Sequence, residues 1–107
     1  MAEIDLTPPV AAAKAAEQGL KLREQHKRGG TRIGVARARQ LIKRAPLSAD
    51  VVKRMASYFA RHEVDKKGKD FDNAENPSAG FIAWQLWGGD AGRDWAEKKK
   101  AELAEKS

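Results

Sequence analysis

Proline and glycine cut this chain at short intervals, and the cuts decide what it can fold into. Pro8, the Gly29–Gly30 pair, Pro46, Pro77 and the Gly88–Gly89 pair leave no long uninterrupted run. Between the breaks, apolar residues recur at helical spacing, and no segment alternates as a strand does. Five helices are expected. The first has Thr7 as its N-cap and Pro8 in its first position, and continues through an alanine-rich stretch of high helix propensity to the Gly29–Gly30 stop. Gly19 is its weak point, costing about 1 kcal/mol relative to alanine.

The second helix spans about Thr31 to Ala45. At 100° per residue Val35, Ala38, Leu41, Ile42 and Ala45 form one arc. Arg32, Arg39 and Lys43 form a row off it, with Arg37 and Arg44 in a second row beside the first. Pro46 ends the helix. The third opens on Ser48 as N-cap, with Asp50 in the first turn and Leu47 and Val52 at the spacing of a hydrophobic staple. Val51, Val52, Met55, Tyr58, Phe59 and His62 share one face, and Lys53, Arg54, Ser57 and Arg61 the opposite one. Residues 64–76 read as a loop. Asn76 and Pro77 then open a fourth helix, apolar nearly all round and therefore central. Asp90 caps a fifth, supported by Asp94–Lys98 and Glu102–Lys106 pairs.

The expected architecture is all-α: a compact bundle of four to five short helices built on a hairpin of helices two and three. Helix four is its central plug, and helices one and five lie outside. With 107 residues, a single domain over 1–107 is expected, enough to bury roughly two-thirds of its unfolded surface. Residues 1–7 are expected to fray and 104–107 to form a tail.

There is no cysteine, which excludes disulfides, thiolate nucleophiles, Cys-ligated zinc and iron–sulfur clusters. No apolar run approaches the ~20 residues of a membrane span, and MAEIDLTPPV has neither a basic n-region nor an apolar h-region. A soluble protein without membrane contact is expected, in the cytoplasm or on a virion.

The net charge of +6 is unevenly placed. Residues 1–30 carry a balance of +1, residues 31–69 a balance of +8, and residues 70–107 a balance of −3. A localised polyanion-binding face is one reading of this asymmetry, and a solvated surface is the other. On the first reading Arg32, Arg37, Arg39, Lys43, Arg44, Lys53, Arg54, Arg61, Lys66 and Lys67 contact nucleic acid, with DNA favoured and mostly through phosphates. An acidic protein surface is the alternative partner.

Other constellations carry less. The Arg28–Thr31 segment, RGGT, suits a phosphate at a helix start or a plain helix–helix turn. Asp65, Asp70, Asp72 and Glu75 could hold a cation, but their spacing fails the EF-hand pattern and lysines intervene. His62-Glu63 has no second histidine where a zinc motif requires one, so His62 reads as a core residue. Trp84, Trp87 and Trp95 read as core packing before base-stacking platforms. No serine has an evident histidine partner, so neither catalytic residues, a metal nor a cofactor is expected.

From Gly29 onward the strings GGTRIGVARARQL, VKRMASYFARHEVDKKGK and PSAGFIAWQLWGGDAGRDWA resemble a small module of bacteriophage and prophage proteins. It is found alone or attached to head-region proteins, and the resemblance covers roughly residues 20–96. It implies a phage origin and a role in virion biology or phage DNA transactions, and it supplies no catalytic residue.

Overall fold

The computed structural model describes residues 4–68, 71–73 and 75–106. Five α-helices follow one another: α1 Val10–His26, α2 Arg32–Lys43, α3 Ala49–His62, α4 Ala79–Leu86 and α5 Gly89–Lys106. The described residues contain no strand. The chain is all-α, with five helices around one core.

Where a cap is local, the structure follows the sequence. Ser48 accepts from the Val51 N–H at 3.1 Å and opens α3, and Thr31 accepts from the Gly34 N–H at 3.2 Å and opens α2. Elsewhere the boundaries move. Helix α1 begins after Pro9, not at Thr7, whose own N–H turns back to the Asp5 carboxylate. Ser78 rather than Asn76 caps α4, accepting from the Phe81 N–H at 3.1 Å. Helix α2 stops at Lys43, because Arg44 takes the left-handed conformation at φ 51°.

The segments expected to be loose are held. Leu6 accepts a backbone hydrogen bond from Leu47, and Pro8 is fully buried, so residues 4–9 dock on the turn between α2 and α3. Residues 1–3 lie outside the described residues. The loop expected at 64–76 opens with a 3₁₀ turn, Glu63–Lys67. Helix α5 continues through the expected tail to Lys106. Asp94 pairs with Arg93, not Lys98, and Glu102 with Lys99; the Lys106 side chain lies outside the described ones.

The largest revision concerns packing. Helices α2 and α3 are joined by a short turn, yet their backbones do not pack on each other. Instead α1 lies against α4 and α2, and α3 lies against α5. Helix α1 is therefore an inner element, burying Ala12, Ala13, Ala16 and Gly19. Gly19, a weak point by propensity, is where α1 crosses the end of α4. A β-carbon there would stand 2.7 Å from the Leu86 backbone nitrogen. Two helices lacking bulky side chains at their crossing gain contact by approaching closely.

Helix α4 is the plug the sequence implies. Ile82, Trp84 and Leu86 are buried, and Trp84 meets Phe59 of α3 edge-on at 4.8 Å. The core also takes Leu41 from α2, Val52 and Met55 from α3, and Ala96 from α5.

Two outcomes test this packing. Gly19→Ala should lower stability by about 1–3 kcal/mol in chemical denaturation, because overpacking against backbone outweighs the ~1 kcal/mol gain in helix propensity. A stabilised variant would refute the close α1–α4 crossing. Trp84→Ala should cost about 3–5 kcal/mol and leave much of the chain unfolded. A small change in melting temperature would show that Trp84 is not a core residue.

Candidate anion-binding clefts

The ten basic residues singled out by charge do not form one surface. Arg37, Lys53, Arg54 and Arg61 line a groove of about 650 Å³ between α2 and α3. This groove exists because the two helices diverge. Ala79, Gly80 and Ala83 of α4 line it, together with Trp87, the residue at the end of that helix. Arg39 lines a second cleft, between α1 and α2, with Arg23, Lys27 and Arg28. Gly30 belongs to both, so the clefts meet at the start of α2. Arg32 and Lys43 are exposed on α2, and Lys67 is exposed on the 3₁₀ turn; none of the three lines either cleft.

Three of the ten serve the fold. Arg44 donates from Nε to the Pro8 carbonyl at 3.0 Å, pinning the N-terminal segment. Lys66 lies 2.7 Å from the Asp90 carboxylate and 4.7 Å above the Trp84 ring, which neutralises it within a tertiary contact. Arg37 departs furthest from expectation, being only 8% exposed. The apolar arc read from the sequence omits glycine. Gly34, Arg37, Ala38 and Leu41 in fact form the buried face, at helical spacing.

Arg37 is held by a short set of contacts. Its Nη1 donates to Gln40 Oε1 at 2.6 Å, and the guanidinium stands 5.2 Å from the Trp87 ring centre. Its Nε is sealed from solvent with no hydrogen-bond partner, and no carboxylate among the described residues forms an ion pair with it. Burial, and after it the nearby Arg54, lower its pKa from the ordinary arginine value, against the opposing pull of Asp50. Arg54 itself pairs with Asp50 at 3.1 Å.

Aromatic rings form the groove's inner wall. Trp87 stacks on Tyr58 at 4.4 Å with planes 6° apart, and Tyr58 stacks on His62 at 4.5 Å. The Tyr58 hydroxyl is buried without a partner. Burial pushes its pKa well above the ordinary value, so it remains a protonated donor. His62 is not the core residue expected: its side chain is 42% exposed, and its Nδ1 lies 3.0 Å from Asp65 Oδ2. Trp84 is buried edge-on to Phe59 beneath Lys66, and Trp87 is buried between Tyr58 and Arg37, so neither offers an open face to a base. Trp95 is half-buried.

The remaining motifs resolve into structure. In the RGGT segment Gly29 and Gly30 have φ of 95° and 76°, a conformation that favours glycine. Arg28 is tied to Asn76 Oδ1 and, at 3.0 Å, to the Pro77 carbonyl. The segment is thus a helix–helix turn carrying a fixed cation. No group of three metal-ligating side chains gathers among the described residues, and Asp70 lies outside them. Asp90, expected as a cap, accepts from Trp84 Nε1 at 2.9 Å. No protein-family model, curated protein or solved structure matches the chain.

Asp90 gives a pH test. Burial raises its pKa, but the hydrogen bonds from Lys66 and Trp84 outweigh this and hold it below the ordinary 3.8. A depressed carboxylate stabilises the fold above its unfolded pKa and loses that contribution as pH falls through the folded value. Melting curves should therefore show extra loss of stability below about pH 4, and Asp90→Asn should remove that part. The Asp90 carboxylate is largely exposed, so the difference at neutral pH should stay within about 1 kcal/mol. Identical pH profiles for the two proteins would refute the assignment.

Proposed function

We propose that this chain is a small phage-derived nucleic-acid-binding protein, electrostatic and tolerant of sequence, and a binder rather than an enzyme. The supporting observation is the pair of clefts flanking α2. Arg23, Lys27, Arg28 and Arg39 on one side, and Lys53 and Arg61 on the other, face only Glu24 and Asp65 as lining acids. Arg23 and Arg28 donate to neutral acceptors, Arg23 to the Gly29 carbonyl, so both keep their charge in fixed places. Fixed cations spread over a surface engage a phosphate backbone without reading base edges. The resemblance to phage modules supports the origin.

An acidic protein surface is the second reading, favoured by Ile33. It is 62% exposed and lines the basic groove, offering an apolar contact that a nucleic-acid backbone does not need. Recovery of a partner after nuclease treatment would support this reading against the first.

For about four neutralised phosphates, duplex DNA affinity should fall with salt at a log–log slope near −3.6. Lys53→Gln with Arg61→Gln should move that slope by about two units and leave the melting temperature almost unchanged, because exposed charges contribute little to folding. Replacing Lys98, Lys99 and Lys100 should matter less, since Lys99 is already paired with Glu102. Absence of binding at low salt, or its loss only in the Lys98–Lys100 variant, would overturn the proposal.

A further inference from the structure

The α2–α3 groove has features that a backbone-binding surface does not require. Its volume of about 650 Å³ lies within the range of small-molecule sites, about 300–1,000 Å³. Apolar wall comes from Ile33, Ala83 and Trp87. Deep in the groove Arg37 is nine-tenths buried, with its Nε unpartnered and no ion pair to a carboxylate among the described residues. The Tyr58 hydroxyl, a second buried donor, also lacks a partner. A buried cation without a counter-ion is costly, and the Trp87 ring and Gln40 amide offset that cost only in part.

The charge around the groove narrows the missing group. Lys53 and Arg61 stand exposed on the α3 side without ion pairs among the described residues. Arg54 is partly neutralised by Asp50, and Asp65 is engaged by His62. The surplus is therefore Arg37, Lys53 and Arg61, more than a single carboxylate would balance. A phosphate monoester carries close to two negative charges at neutral pH and offers three acceptor oxygens. A guanidinium fork matches phosphate geometry, and a phenol O–H can donate to the same group.

We propose that the groove between α2 and α3 binds an organic phosphate monoester, with its head toward Arg37 and its apolar body along Ile33 and Ala83, past the edge of Trp87. The site does not rest on the nucleic-acid reading, because Arg37 and Tyr58 are too buried to meet a duplex backbone. It adds a ligand of its own.

Phenyl phosphate, inorganic phosphate and phenol are titrated into the intact chain, following calorimetric heat and the Trp87 indole N–H resonance. Phenyl phosphate should bind at least about tenfold tighter than either part alone, since head and body are recognised together, and it should move the Trp87 signal. Arg37→Met keeps the volume and removes the head-group partner, so affinity should drop at least about tenfold while the fold persists. Ser57→Trp, from an exposed position on the groove wall, should block binding without touching the core. Binding of phenyl phosphate no tighter than inorganic phosphate, or unchanged affinity in both variants, would overturn the site. Competition with a nucleoside 5′-monophosphate and with a 5′-phosphorylated trinucleotide separates a free monoester from a chain end, and displacement by either supports the site. Duplex DNA titrated in parallel keeps the two proposals apart. If phenyl phosphate binds and DNA does not, the groove stands without the nucleic-acid reading; the reverse result removes the groove alone.

Discussion

Everything in this fold leans on an eight-residue helix that could not exist by itself. A helix as short as α4 has too few internal hydrogen bonds to repay its nucleation. It persists because neighbours surround it. Trp84 touches Phe59 of α3 and Phe71 of the preceding loop, stands under Lys66 of the 3₁₀ turn, and donates to Asp90 of α5. Trp87, one residue past the helix, meets Tyr58 of α3 and Arg37 of α2. Helix α1 closes over the far side through Gly19. Trp87 thus links α2 and α3, whose backbones make no contact of their own.

That arrangement also makes the groove. In a hairpin, α2 and α3 would seal their apolar stripes against each other and turn their cations outward. Here Trp87, at the end of α4, stands between them, while α2 packs chiefly on α1 and α3 chiefly on α5, so the gap stays open. The same displacement carries Arg37 inward, because the face of α2 that meets Trp87 runs through Gly34 and Ala38. A β-carbon on Gly34 would come within 3.3 Å of the Trp87 indole nitrogen. The smallness of residue 34 and the burial of residue 37 are two consequences of one contact.

The sequence made legible whatever depends on near neighbours. The caps at Thr31 and Ser48, the amphipathic face of α3 and the central place of α4 all rest on residues within a turn or two of each other. What it hid were contacts made at long range. Thr7 has the chemistry of a cap, but its N–H bonds Asp5, and α1 waits for Pro9. Asn76 looks like a cap and is occupied by Arg28, 48 residues away. Alanines give α1 the look of an outer helix, although small residues with a glycine at the crossing suit a close approach to α4. Lys66 belonged to the most basic third of the chain, and nothing local indicated that it would be matched to Asp90.

The charge count was right as arithmetic and incomplete as geometry, and Arg37 shows why. A net balance treats each cation as equally available to a partner. In the fold, Arg44 and Lys66 are held by partners within the chain, and Lys53 and Arg61 face solvent. Arg37 has given up water for an aromatic face and one amide. Such a residue is unlike an exposed arginine in both directions. It costs stability where it sits, since a buried charge is weak support for a fold, and any anion that reaches it gains more than the same anion at the surface, because little water intervenes. The unequal settings of these cations, more than their number, separate a cleft that holds a buried guanidinium from a surface that carries only solvated charge.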